Sequence, residues 1–208
     1  MNGSYGSYSI DYYSNDNLGN LAIDTYTIAL IQRDIAVTGI VLSTNSTYVG
    51  RIIEVNVTLS NFGDIIESFN VSLYYDDTII NTTLVENMSP YTNTIITFYW
   101  DTATVEPCKY YNITAKADVL TGETNTTNNI YTCGEVKIKM LGDVNGDDKI
   151  DMIDLGVAAR AFGTYPEYQP NPSSPGHRWN PEADINDDKS IDFRDIGLIA
   201  RRFGSTCP

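Results

Sequence analysis

The chain has 208 residues, of which 42% are apolar and 19% charged, enough for two small domains and too polar for a membrane protein. Its 27 acidic against 13 basic residues give a net charge of −14 and a pI near 4.2, which argues against nucleic acid as a partner, because counterion release needs clustered Lys and Arg. No run approaches the roughly 18 apolar residues of a membrane span, and with one histidine, His177, in a Pro/Ser/Gly-rich stretch and no Gly-rich phosphate loop or serine elbow, the chain reads as a non-enzyme.

Residues 1–34 read as an extended N-terminal segment. The first part, residues 1–20, is rich in Gly, Ser, Asn and Tyr and nearly free of aliphatics, the composition of a lead-in without regular structure. Met1 to Ser9 lacks the basic-then-apolar layout of a signal peptide, so an exported protein would be in its mature form. Residues 21–32 (LAIDTYTIALIQ) are strongly β-prone, and Ile28, Leu30 and Ile31 leave little polar face. Arg33-Asp34 then leads into the next strand without the Asn-Gly or Gly-X dipeptide of a tight hairpin. The segment is expected to project away from its own domain, as a candidate donor strand.

From residue 35 to 139 the alternation of apolar and polar residues predicts seven strands: Ile35 to Leu42, Ile52 to Leu59, Phe69 to Tyr75, Thr78 to Val85, Thr94 to Trp100, Tyr110 to Ala117 and Ile130 to Lys139. Turn-forming clusters between them give the layout of an immunoglobulin-like β-sandwich, with Trp100, Phe69, Phe98 and Tyr111 filling its core. Asn-X-Ser/Thr sequons begin at Asn2, Asn45, Asn56, Asn70, Asn81, Asn87, Asn112 and Asn125, where 19 Asn and 36 Ser plus Thr would give about three by chance. Alternation puts Asn56, Asn70 and Asn112 on the wet faces of their strands, which fits N-glycosylation in an extracellular or cell-surface setting. Of the three cysteines, Cys108 and Cys133 flank consecutive strands; a turn near Thr121-Gly122 would set them opposite one another within disulfide reach, leaving Cys207 unpaired.

Through this section the ordered series Asp34-Ile-Ala-Val, Tyr48-Val-Gly, Val55-Asn-Val-Thr-Leu-Ser-Asn-Phe-Gly, Ser68-Phe-Asn-Val-Ser-Leu-Tyr-Tyr, Trp100-Asp-Thr, Glu106-Pro and Thr126-Thr-Asn-Asn resembles the CARDB family of cell-surface adhesion-related modules. That resemblance implies a spacer and display fold without a common catalytic site.

Residues 140–208 contain an internal repeat. DVNGDDKIDMIDLGVAARAFG, from residue 143, recurs as DINDDKSIDFRDIGLIARRFG from residue 184, with eleven of 21 positions identical. Identity falls on Asp143/Asp184, Asn145/Asn186, Asp147/Asp188, Asp151/Asp192 and Asp154/Asp195, which are places 1, 3, 5, 9 and 12 of a calcium loop. Ca²⁺ takes six to eight oxygens, and such a loop supplies side chains from places 1, 3 and 5, a carbonyl from place 7 (Lys149 and Ser190 here), a water-bridged group at 9 and a bidentate carboxylate at 12. Two bound Ca²⁺ are expected. Helices Ile153 to Phe162 and Arg194 to Phe203 would follow, with Leu155, Ala158, Ala159 and Phe162, and Ile196, Ile199, Ala200 and Phe203, on apolar faces that pack together. This duplicated loop-helix section looks like a dockerin domain, which implies a cohesin-like partner. It departs from the pattern at place 6, where the turn-forming Gly is replaced by Asp148 and Lys189, and at place 4 of the second loop, Asp187, so strained loops are expected. Places 10 and 11, which help dockerins choose a cohesin, are Met152-Ile153 and Phe193-Arg194 rather than Ser/Thr pairs. In the insert Thr164 to Ala183, Trp179 is expected to cover the helix pair, and His177 to be a loop residue rather than a metal ligand.

The leading expectation is a non-catalytic extracellular structural protein, glycosylated and calcium-stabilised, that polymerises head to tail with copies of itself by lending residues 21–32 to an open sheet edge of the next subunit. The alternatives are a docking module that binds a cohesin-bearing scaffold, and a carbohydrate-binding adhesin using Tyr5, Tyr8, Tyr12 and Tyr13.

Overall fold

A computed structural model of the chain describes residues 8–15, 21–28, 30–123, 125–168 and 177–208. Asn2, Tyr5, Ala29 within the candidate donor segment and the middle of the insert lie outside the described residues. Ten strands and two α-helices are present among the described residues. The strands are β1 (Tyr8–Asn15), β2 (Leu21–Ile28), β3 (Ile35–Leu42), β4 (Ser46–Tyr48), β5 (Ile52–Asn61), β6 (Glu67–Tyr75), β7 (Thr78–Met88), β8 (Thr92–Asp101), β9 (Lys109–Ala117) and β10 (Ile130–Lys139). The helices are α1 (Met152–Arg160) and α2 (Phe193–Ala200).

Strands β3 to β10 form the two sheets of an immunoglobulin-like sandwich, one of order β4-β10-β9-β6-β7 and one of order β3-β5-β8. The pattern read from sequence is realised side chain by side chain: Ile53, Val55, Val57 and Leu59 along β5 are all fully buried, as are Val71 and Leu73 on β6 and Ile113 and Ala115 on β9. The four core aromatics are buried, and Trp100 meets Tyr111 edge-on at 6.0 Å between ring centroids. The short strand β4, which pairs in parallel with β10, was not among the strands expected; three residues are too few to show a period.

The N-terminal segment differs from the expectation. Residues 8–15 form a regular strand, and β2 does not run unpaired: β1 and β2 make an antiparallel two-stranded sheet of their own, from Tyr8 opposite Ile28 to Asn15 opposite Leu21. The alternating Tyr and Ile of β1 supply β-propensity that a composition count of Gly, Ser and Asn conceals. Arg33, just beyond, is anchored by a two-point ion pair to Glu67 at 2.6 Å and by a bond to the Thr121 carbonyl at 2.8 Å.

The cysteine pairing is also different. Cys108 is bonded to Cys207, and Cys133 is a free thiol. The reason lies in the register of β9 and β10. Their connection includes a short 3-10 helix, Thr127–Asn129, so Thr114 meets Thr132 and the Cys108 amide donates to the Ile138 carbonyl. Cys133 therefore falls about five residues short of the position opposite Cys108.

Two compact units divide the chain. The first contains Asn56–Phe98 and Thr114–Cys133 with the chain up to Val41, and the second gathers Leu42–Val55, Tyr99–Ile113 and Gly134–Pro208. Within the second unit, Val144, Ile150, Ala158, Ala161, Ala183, Ile185, Ile191 and Ile199 form a small core, with Trp179 from the insert packed against it as expected. Of the predicted helix faces, Ala158 and Ile199 are buried and Leu155 and Ile196 pack against the core, whereas Ala159 and Ala200 are exposed and Phe203 is 51% exposed. Asp154, Ala161 and Asp195 join the buried stripe, because each place-12 carboxylate points inward to its loop.

Candidate calcium sites

Each loop runs into its helix through a shared device. Asp151 is the N-cap of α1, accepting from the Ile153 amide at 2.7 Å, and Asp154 at the third helical position returns a bond from the Asp151 amide at 2.8 Å. Asp192 and Asp195 repeat this capping box at α2. Places 9 and 12 of the loop are thus also the two ends of a reciprocal cap, which explains why an aspartate serves at both.

The place-1 and place-12 carboxylates organise the loops. Asp143 accepts from the amides of Gly146 at 2.8 Å, Asp147 at 3.1 Å and Asp148 at 3.1 Å. Asp154 accepts from Val144 at 2.7 Å and Asn145 at 3.1 Å. In the second loop Asp184 and Asp195 bind the corresponding amides of Asp188, Lys189, Ile185 and Asn186. At places 3 and 5 the Asn145 amide donates to Asp147, and Asn186 to Asp188, at 2.9 Å each. The place-7 residues, Lys149 and Ser190, donate their own amides to Asp147 and Asp188 at 3.1 Å.

Asp143, Asp154 and Asp195 are fully buried and Asp184 nearly so. Burial lifts the Asp143 and Asp184 carboxyls above the usual carboxylate range; the backbone donors oppose this, while the charges of Asp154 and Asp195 add to it. Among the described residues no group of three or more His, Cys, Asp or Glu side chains is drawn together as a finished metal cage. The fit to a hard divalent cation rests instead on two inward, desolvated carboxylates per loop within an all-oxygen donor set, a site whose ionised form a cation would stabilise.

The missing glycines leave a visible trace. Asp148 and Lys189 at place 6 have φ of 66° and 64°, and Asp187 at place 4 of the second loop has 60°, where the first loop has Gly146 at 78°. Two non-glycine residues in the second loop thus occupy the left-handed region against one in the first, a conformation costing an L-residue about 1–2 kcal/mol. Replacing Lys189 with Gly is expected to stabilise the calcium-loaded protein by about 1 kcal/mol after the added freedom of the unfolded chain is counted. A raised melting temperature at saturating calcium checks this; a lowered one contradicts it.

Several residues that hold the loops were not singled out as site residues from sequence. Tyr48, fully buried, belongs to the core that Ile150 and Ile191 share, and its hydroxyl reaches the carbonyls of Asp143 at 3.1 Å and Glu182 at 2.7 Å. Burial keeps its phenol pKa well above the ordinary value, so it remains a donor. Arg51 donates to the Asp184 carbonyl, Lys139 pairs with Glu182, and Lys137 pairs with Asp148 at 2.8 Å. The C-terminal tail lies along the first loop, with the Ile150 amide bonded to Ser205 and that of Cys207 to the Asp148 carbonyl, both at 2.9 Å. Only Tyr48 had a sequence signal, as part of the Tyr48-Val-Gly motif.

Elsewhere, Asn45, Asn70, Asn81, Asn87, Asn112 and Asn125 are exposed and Asn56 is half-buried, so each sequon among the described residues opens to the surface. The Asn70 amide is bonded to Asp118 at 2.9 Å, and Asn56 accepts from Thr97 at 2.6 Å. His177 packs edge-on against Tyr168, with 5.1 Å between ring centroids. Among the described residues no helix is long and apolar enough to cross a membrane.

The CARDB family model matches residues 32–133, and the dockerin type I domain model matches residues 141–204. No curated protein matches the chain. Among solved structures, a CARDB domain from Pyrococcus furiosus in complex with di-metal ions is similar at 24% identity and a TM-score of 0.46, over 54% of this chain and 99% of that one. A domain of a putative cell surface protein from Methanosarcina acetivorans is similar at 24% identity and a TM-score of 0.42, over 51% of this chain and 92% of that one. Dockerin type I domains bind calcium and dock to cohesins, and neither module type is catalytic. The chain thus carries, in this order, a stretch that matches the CARDB family, residues 32–133, and one that matches the dockerin type I domain, residues 141–204.

Proposed function

We propose that this chain is a non-catalytic extracellular assembly protein that binds two Ca²⁺, one in each loop, and docks through its calcium-loop section onto a cohesin-like partner, with the sandwich as spacer. The observation that carries the docking reading is an apolar face at places 10 and 11: Met152 is 68% exposed, Ile153 57% and Phe193 80%. Phe193 stands edge-on to Phe162 at 4.7 Å, and with Ala159 and Ile196 they line a shallow groove. Such exposure of large apolar side chains on helix termini marks a contact surface. It calls for a partner with an apolar rather than a hydroxyl-matching face. Surface-immobilised full-length protein should bind a cohesin domain only with calcium present, and Phe193→Asp should weaken that binding at least tenfold, as for a hot-spot aromatic. Absence of binding by every cohesin tried at tens of micromolar would contradict it.

A second reading, self-assembly into a filament, draws on the β1-β2 sheet, which is separate from both sandwich sheets, with Ile10 54% and Tyr13 60% exposed. Pairing with β1 uses one edge of β2, so donation to a neighbouring subunit would proceed through its other edge. Fibres from the calcium-loaded chain, lost on deleting residues 1–32, would favour this reading. The open sequons support N-glycosylation, for which mass spectrometry of native protein should find sugar on Asn70, Asn81 and Asn112.

A further inference from the structure

We propose that the segment 48–51 is part of both calcium sites, with Tyr48 and Arg51 as positioning residues for the place-1 backbone of the two loops, so that calcium binding and attachment of the helix pair to the foot of the sandwich are one event. This deepens the calcium reading above and rests on it.

The second compact unit places the parts together. The two place-1 carbonyls are each met by a donor from this one segment: the Tyr48 hydroxyl for Asp143, at 3.1 Å, and the Arg51 guanidinium for Asp184. The same hydroxyl proton is shared with the Glu182 carbonyl at 2.7 Å, two residues ahead of the second loop, so Tyr48 touches the start of the first loop and the approach to the second. Its ring lies in the core formed by Val144 and Ile185 at place 2 and Ile150 and Ile191 at place 8, the equivalent residues of the two repeats. Lys139, 4.4 Å from the ring centroid, and Arg51, at 5.1 Å, flank that ring.

The segment itself is fixed to the sandwich. The Val49 amide donates to the Lys139 carbonyl at 3.1 Å, Gly50 donates to the Thr102 hydroxyl at 3.0 Å, and Thr102 bonds the Arg51 carbonyl at 2.7 Å through its side chain. A place-1 aspartate contributes its carboxylate to the cation only if its backbone is correctly set, and the groups that set it belong to the sandwich. When the loops lose their cation and relax, Tyr48 and Arg51 lose their acceptors while the ring stays buried, which is costly for the foot of the sandwich. Reciprocity then requires that weakening the two donors lowers calcium affinity by the factor that calcium strengthens the attachment.

The test is calcium titration of the full chain by calorimetry, with amide hydrogen exchange in calcium and in chelator. Wild-type protein should bind two ions; Tyr48→Phe, which keeps the ring and removes only the hydroxyl, should lower the combined affinity for the two ions about three- to tenfold, the worth of one hydrogen bond. Arg51→Met should weaken the second loop alone. In chelator, the amides of Val49 and Arg51 should lose protection together with the loops, and Tyr48→Phe should melt at the wild-type temperature while its calcium-induced rise is smaller. A combined affinity of Tyr48→Phe within twofold of wild type, or amides at 49 and 51 that stay protected in chelator, would overturn the inference while leaving the calcium sites standing. A wild-type chain that binds no calcium would overturn the calcium reading, and this inference with it.

Discussion

In excess chelator the calcium-loop section is expected to lose its two helices while the sandwich core keeps its strands. Without a cation each loop holds two buried carboxylates that repel one another, Asp143 with Asp154 and Asp184 with Asp195. A ligand present at a hundred times its dissociation constant stabilises the folded state by about 2.7 kcal/mol per site, so two sites contribute roughly 5 kcal/mol. For a section of this size that corresponds to a melting temperature raised by about 20–40 °C. Asp154→Ala should remove about half of this at the first loop, and more, because its carboxylate also accepts the amides of Val144, Asn145 and Asp151. Asp195→Ala should act likewise on the second. Differential scanning calorimetry in calcium and in chelator reads both effects; superimposable curves would contradict them.

Breaking the bond between Cys108 and Cys207 is expected to have the next largest effect. The bridge closes a loop with a sequence separation of 99 residues, and chain-entropy arguments assign a loop of that length about 4.7 kcal/mol, against the 2–5 kcal/mol generally lost when a native bridge is removed. Cys108→Ser should therefore cost about 2–5 kcal/mol. It should loosen the first loop in particular, since the tail carrying Cys207 is bonded to Asp148 and Ile150 there. Cys133→Ser, at a half-buried free thiol, should change stability by less than about 1 kcal/mol. Peptide mapping without reductant should link the Cys108 and Cys207 peptides; a link between Cys108 and Cys133 would reverse the assignment.

Much of this architecture is legible in the sequence, for reasons that particular residues make plain. A strand such as β5, with one dry and one wet face, must alternate, and Ile53, Val55, Val57 and Leu59 do so without exception. The spacing from Asp143 to Asp154 and from Asp184 to Asp195 is the one a calcium loop requires, which is what makes these residues candidates from sequence alone, and the displaced glycines foretell the left-handed backbone found at Asp148, Asp187 and Lys189. What was not legible depends on groups far apart in the chain. The cysteine pairing turned on a register that the 3-10 turn at Thr127–Asn129 shifts, and a short connection assumed at Thr121-Gly122 gave the wrong partner. The roles of Tyr48, Arg51, Lys137 and Lys139 depend on residues about 10 to 130 positions away, and no local period reports such a contact. Strand β1 was hidden by its neighbours' composition, which reads as disorder when averaged over twenty residues.

The measurement that bears most directly on the account is a calorimetric calcium titration of the metal-stripped full-length chain. Two ions should bind per chain, with helix content rising as they do, and Asp154→Ala should abolish one of the two binding events. A chain that takes up no calcium, or whose helices are fully formed before any is added, would contradict the claim that these loops are the calcium sites on which the docking section depends.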